Sequence, residues 1–173
     1  MEGLRKTITG KRTGRVVTIV EGNLPDEIVN RFLDSIDDWG QSKMRHRPIQ
    51  EKEHQYFALV EAQGLGERYK IIGYGAMYPR YEQEANWGIS MHQDWRGEGI
   101  GKAMYEFAEE LCDKLGIRTL RGEADADNEI ALEIMKGMGY ELYGPIYHIK
   151  KELKASIPSS KEVPSITGFI VDE

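Results

Sequence analysis

The stretch Ile89–Met104, ISMHQDWRGEGIGKAM, constrains this chain more than any other. Apolar residues alternate at Trp87, Ile89 and Met91, as they do on a strand with one buried face. The alternation ends in a polar corner, and Arg96-Gly97-Glu98-Gly99-Ile100-Gly101-Lys102 follows. Beyond the corner Ile100, Ala103, Met104, Phe107, Ala108, Leu111 and Leu115 recur at helical spacing, and Gly116 ends the run. The pattern predicts a strand, a glycine turn and a helix N-terminus. Backbone N–H groups at a helix start have no intrahelical partner and favour an anion. Glycines let the backbone approach that anion closely, and Arg96 and Lys102 add positive charge. The stretch reads as a pyrophosphate cradle.

Two familiar glycine motifs do not fit. In the dinucleotide pattern G-x-G-x-x-G the third glycine would fall on Lys102 or Met104. The P-loop pattern needs Ser or Thr after Gly101-Lys102, where Ala103 stands, and a glycine at Arg96. The pattern that fits is R-x-x-G-x-G, made by Arg96, Gly99 and Gly101. A second motif runs from Asn128 to Tyr140, NEIALEIMKGMGY, with Ala131 three residues after Asn128 and a helix closed by Gly139-Tyr140. On these residues the chain resembles the GCN5-related N-acetyltransferase (GNAT) superfamily, over Val16 to Leu153 and most closely from Ile89 to Tyr140. The resemblance implies a mixed α/β (α+β) GNAT fold. Its V-shaped central sheet would be mainly antiparallel, with about six to seven strands and helices on both faces.

The resemblance also implies a ligand and a reaction. The co-substrate would be acetyl-CoA. Its pantetheine arm would lie where the strand before the cradle splays from its neighbour, pairing with backbone at Ile89 and Met91. Its pyrophosphate would rest on Arg96, Gly97, Gly99, Ile100 and Gly101, with Lys102 nearby. Asn128 would contact the coenzyme arm or hold the loop, and it is also a good helix N-cap. Transfer of acetyl to a primary amine, on a small molecule or on a protein N-terminus or lysine, would proceed by direct attack in a ternary complex. The amine must first lose a proton. Glu123 and Glu84 stand at the two strand-end positions where the family places a catalytic glutamate; both are also the kind of carboxylate that simply faces water. Backbone N–H near Met91 is a candidate donor to the developing oxyanion. Many family members carry a tyrosine seven residues after the Asn as proton donor. Here that position is Met135, whose thioether cannot donate, leaving Tyr105, Tyr140 and Tyr143 as substitutes. Met135 favours a rival reading, a non-catalytic acyl-CoA-binding regulatory module. A nucleotide-binding protein is a third reading should the glycine turn match falsely.

Composition narrows the partners. Net charge is −6, which argues against binding nucleic acid chiefly through phosphates. Between Glu98 and Glu133 ten acids face four bases, and most of them read as solvated helix faces. No apolar run reaches membrane-span length, and the opening MEGLRKTITGKR lacks the apolar core of a secretion signal. The one cysteine, Cys112, lies off the apolar stripe of its helix and is assigned no role. A cytoplasmic protein is expected. No His, Cys and Asp cluster has metal-ligand spacing, so no metal is expected. The acceptor is weakly encoded. Glu82 and Glu84 suit a cationic amine, whereas Lys43, Arg45, His46 and Arg47 suit an anion. His92, beside the cradle, reads as a surface residue.

In chain order, residues 1–14 read as a loose or edge element, and Val16–Glu21 as the first strand. A helix starts at Pro25 or Asp26, with Ile28, Phe32 and Ile36 on one face, and runs to Gly40. Residues 41–50 read as a loop or short helix over the acceptor side. Strands are predicted at 55–63, at 69–78 with Pro79 as a stop, and at 85–91, joined by a turn at 64–68 into a meander. A short strand at 119–123 should pair in parallel, since a helix connects it. A helix over 129–138 follows, capped by Asp127 or Asn128, then strands at 141–143 and 146–153. The domain organisation is 1–153 as the acyltransferase domain and 154–173 as an extension. The extension reads as a linker followed by an extra strand or a homodimer contact around Gly168–Val171.

Overall fold

Alternation in sequence becomes two faces of one sheet. In the computed structural model, which describes residues 3–36, 54–62, 68–143, 147–153 and 169–170, strand β3 (His54–Glu61) sends Tyr56, Ala58 and Val60 to one core and Phe57 and Leu59 to the other. The remaining strands are β1 (Arg5–Thr9), β2 (Val16–Glu21), β4 (Tyr69–Tyr81), β5 (Glu84–Met91), β6 (Thr119–Ala124), β7 (Glu141–Tyr143), β8 (Tyr147–Glu152) and β9 (Phe169–Ile170). The helices are α1 (Asp26–Ser35), α2 (Ile100–Leu115) and α3 (Glu129–Gly137). The sheet order is β1-β2-β3-β4-β5-β6-β8-β7, and β9 lies in parallel against Tyr69–Lys70 of β4. Every other pair is antiparallel except β5–β6, whose crossover runs through α2.

Helices cover both faces, as expected. Helix α1 packs Val29, Phe32 and Leu33 onto Phe57, Leu59 and Tyr74. Helix α2 buries Ile100, Met104, Phe107 and Leu111 against the opposite face, with α3 beside it. Close approach on that side uses glycine: a Cβ on Gly75 would meet the Tyr56 ring at 2.1 Å. The Tyr56 ring in turn packs on Phe107, with centroids 5.5 Å apart.

The structure departs from the sequence reading in several places. Among the described residues nine strands form rather than six or seven, because β1 and β9 extend the sheet. Of the two readings of the N-terminal residues, the edge element is the one that forms: residues 5–9 are a regular edge strand on β2. The buried stripe of α1 is Val29, Phe32, Leu33 and Ile36, with Ile28 only partly buried, and the helix ends before Ile36, which is extended at φ −89 and ψ 156. Pro79 does not stop β4. Among the described residues the β3 ladder ends at Met77, so past that point β4 pairs there on its β5 side alone, and a residue without an N–H fits, beside a register shift between Pro79 and Tyr81. Cys112 is buried, with its sulfur 3.6 Å from that of Met77. The sheet covers more of α2 than its primary stripe, and Tyr105 and Cys112 form a second buried seam seven residues apart. The predicted features at Gly40, 41–50, 64–67 and 154–168 lie outside the described residues. Among the described residues no helix is long and apolar enough to cross a membrane.

Candidate active site

The sheet opens where β5 leaves β6. The two strands pair only from Glu84–Asn86 to Thr119–Arg121. Beyond that, β5 continues to Met91 and β6 to Ala124 with no ladder between them. Residues 87–91 still pair with β4 on their other side. The result is a wedge in a continuous sheet, bordered by Trp87 to Met91 on one side and by Gly122 to Ala124 on the other. Its neck is closely fitted: a Cβ on Gly122 would lie 3.0 Å from Ile149 and 3.2 Å from Trp87 Nε1. Gly88 opens the other side, where an added Cβ would meet nothing within 4 Å. Ile89 and Met91, the two predicted backbone partners, lie along this border.

The wedge opens toward the glycine turn. His92 accepts the Asp94 N–H at Nδ1 and caps a short 3₁₀ turn, Gln93–Trp95; it is therefore a structural cap with a side chain 12% exposed, rather than a surface residue. Arg96 Nη2 reaches back 3.3 Å to the Met91 carbonyl oxygen, tying the turn to the strand end. Gly97 and Gly99 have φ of +77 and +82, a left-handed backbone that favours glycine. Helix α2 then starts without any side-chain cap and with no acid in its first turn. Gly97 and Gly101 leave open space where a Cβ would stand. Lys102 is 59% exposed and lies 3.9 Å from Glu106. Arg96, Gly97, Gly99, Ile100, Gly101 and Lys102 thus share one corner at the mouth of the wedge. Asn128 caps α3: its Oδ1 accepts the Ala131 N–H at 3.2 Å.

The predicted carboxylates take different places. Glu84 lies at the closed end of the β5–β6 pair, opposite Thr119, and its Oε1 is 2.9 Å from Arg121 Nε. Five residues of strand, about 17 Å, separate it from Ile89. Glu123 is exposed on the part of β6 that pairs with β8 but not with β5, beside the wedge and in register with His148. Arg121, two residues earlier, donates to the Tyr143 hydroxyl at 3.1 Å. Among the tyrosines considered for the proton donor, Tyr105 and Tyr140 pack on Trp87, with centroids 4.7 and 5.9 Å away, and burial pushes both phenols far above their ordinary pKa. Tyr143 is 43% exposed. Met135 is on the buried face of α3, 4% exposed.

One feature of the corner escapes a reading of motif alone. Glu98, the acid inside the cradle, is 1% exposed. Its carboxylate faces the turn between β1 and β2, accepting the N–H groups of Arg12 at 2.8 Å and Thr13 at 3.2 Å. The signal available in sequence was an unexplained acid in a glycine turn built for anions.

Comparison with known proteins places this geometry. A family model described as the acetyltransferase (GNAT) family matches residues 25–140. No curated protein matches. Among solved structures, the GNAT domain of a Streptomyces lividans protein, PAT, superposes with a TM-score of 0.67 at 15% identity, covering 86% of this chain and 97% of that one. A domain from Methanocaldococcus jannaschii gives 0.61 at 10% identity, covering 78% and 98%. A cAMP-binding acyltransferase from Mycobacterium smegmatis gives 0.61 at 14% identity, covering 88% of this chain and 48% of that one.

Proposed function

Since the chain belongs to the acetyltransferase (GNAT) family, we propose that it transfers the acetyl group of acetyl-CoA to a primary amine by direct attack in a ternary complex. The observation that carries this reading is the wedge between β5 and β6 opening onto an uncapped, glycine-led helix N-terminus. An extended pantetheine arm fits an unpaired strand edge, and a pyrophosphate fits free N–H groups at its mouth. The edge of Ile89 and Met91 takes the arm. Arg96, Gly97, Gly99, Ile100, Gly101 and Lys102 take the pyrophosphate. Backbone N–H groups along 89–91 are placed to hold the thioester oxygen as its charge develops.

Of the two carboxylates, Glu123 is the base this reading favours. It borders the open wedge, whereas Glu84 sits at the closed end and is tied to Arg121. The amine gives its proton to Glu123 directly or through water, attacks the thioester carbonyl, and the coenzyme thiolate departs. Tyr143 is the exposed phenol of the three, but it stands on β7 with β8 between it and β6, and it would protonate that thiolate only if the arm reached it. Otherwise the thiolate leaves unassisted, its pKa being close enough to neutral. Cys112 takes no part, since burial holds its thiol protonated.

A thermal-shift scan with acetyl-CoA, longer acyl-CoAs, CoA, ATP and NAD tests the ligand, because a ligand of the folded state raises Tm by mass action. Stabilisation by acetyl-CoA and not by ATP or NAD is expected, followed by free-thiol release with an amine panel. Glu123→Gln should lower that release about 100-fold with little change in acetyl-CoA protection. Binding without turnover across the panel would favour the regulatory module suggested by Met135. No shift with any CoA species would remove the reading.

A further inference from the structure

Residues 11–15, in and just after the turn that joins β1 to β2, make six contacts with Asp94, Trp95 and Glu98 at the cradle. The Lys11 N–H donates to the Glu98 carbonyl oxygen at 3.1 Å. The Glu98 carboxylate accepts the next two backbone N–H groups, those of Arg12 and Thr13. Arg12 Nε lies 3.4 Å from Glu98 Oε1, and Arg12 Nη2 donates to the Asp94 carbonyl oxygen at 3.2 Å. The Arg15 guanidinium stacks 4.5 Å over the Trp95 ring. Gly10 is required by this packing, since a Cβ there would lie 2.9 Å from Glu98 Oε2. Burial alone would raise the Glu98 carboxyl, but the two N–H donors and the Arg12 guanidinium outweigh it and hold the pKa below the usual range. Glu98 is therefore an anion whose charge is spent inside the turn and withheld from the cradle.

The outcome is the placement of Lys11. Its stem lies over Gly99: a Cβ on that glycine would be 3.1 Å from Lys11 Cε and 3.5 Å from Cδ. Gly99 immediately precedes the first residue of α2, so the ammonium stands at the uncapped end of that helix. Lys11 is exposed, and among the described residues no acid pairs with it. An unpaired ammonium laid along a left-handed glycine, at the point where backbone N–H groups converge, is complementary to a phosphate.

We propose that Lys11 binds a phosphate of the coenzyme, and that Glu98 is the positioning residue that holds Lys11 there. This rests on the acetyl-CoA reading above. The phosphate chemistry has two sources in the coenzyme, the pyrophosphate and the 3′-phosphate, which the test separates.

The experiment is calorimetric titration of the full-length protein with acetyl-CoA and with 3′-dephospho-acetyl-CoA. The variants are Lys11→Ala, Lys11→Arg, Glu98→Gln and the Lys11→Ala/Glu98→Gln double variant. Lys11→Ala should weaken acetyl-CoA about tenfold at low salt, as loss of one charge-assisted contact does. The gap should narrow as salt rises, and Lys11→Arg should retain most of the affinity. A loss that vanishes with the dephospho ligand assigns the 3′-phosphate; an equal loss assigns the pyrophosphate. Glu98→Gln should weaken binding in the parent and have little further effect once Lys11 is alanine, because it acts through Lys11. Lys11 is on the surface, so its variants test the contact without a folding cost. Wild-type binding matched within twofold by Lys11→Ala overturns the proposal and leaves the coenzyme reading intact. Failure of the wild type to bind any CoA species overturns both.

Discussion

Helices α2 and α3 begin in opposite ways. Helix α3 closes its own start: Asn128 Oδ1 takes the Ala131 N–H, and Glu129 places an acid in the first turn. Helix α2 begins from Gly99 at φ +82, with no side-chain cap and no first-turn acid. The residue before Gly99 is a glutamate, yet its carboxylate is turned away into the β1–β2 turn. The same physics operates at both ends, since each start leaves backbone donors that need an acceptor. At α3 the chain supplies that acceptor and gains stability. At α2 the chain withholds it, and the vacancy is what the coenzyme phosphates would fill.

That contrast can be broken deliberately. Gly99→Glu puts a carboxylate into the open start and a side chain where φ is left-handed. It should weaken acetyl-CoA at least ~100-fold, as like charges placed together do, and abolish its thermal protection. Retained protection would show that α2 is not the phosphate end. Asn128→Ala attacks the closed start. It should cost about 1 kcal/mol, seen as a drop of about 2–4 °C in Tm, while acetyl-CoA still protects. Loss of protection as complete as in Gly99→Glu would make Asn128 a coenzyme contact of equal weight. The smallest effect sharpens the role of Glu98. Its pKa is lowered in the folded state from an ordinary 4.5, so its stabilisation is present above that pH and is lost as pH falls through the lower folded value. The Tm gap between wild type and Glu98→Gln should therefore be largest near neutral pH and close in acid. A gap independent of pH would mean that packing of the side chain, not its charge, holds the turn.

Local pattern made much of this legible. The opposed faces of β3, the extent of β2, the stripe of α2 and the parallel pairing of β6 all follow from spacing within one element. The glycine corner was legible because few residue types tolerate its backbone. What escaped depends on contacts distant in the chain. Arg12 and Glu98 are 86 residues apart, so the choice between a loose and an edge element for the N-terminal residues stays open until the partner is in view. The same holds for Cys112, whose burial is decided by how far the sheet wraps around α2 and not by helical period. The place of Glu84 also waited on its partner, because Arg121 lies on another strand. Pro79 was misread for a related reason: whether a missing N–H matters depends on which neighbours the strand has at that point.

The run of β5 from Trp87 to Met91, paired with β4 but not with β6, is an edge enclosed within a sheet rather than at its rim. Rim edges invite other chains and are usually guarded by charge, by bulges or by shortness. Under the acetyl-CoA reading proposed above, this one is guarded by its occupant instead, since a wedge closed at one end suits a thin linear arm better than a strand with side chains on both faces. Occupancy would then act as a splint. Amide hydrogens on that border should exchange quickly in the empty protein and slowly once the arm is seated, making the two halves of the sheet behave as one cooperative body only in the loaded state.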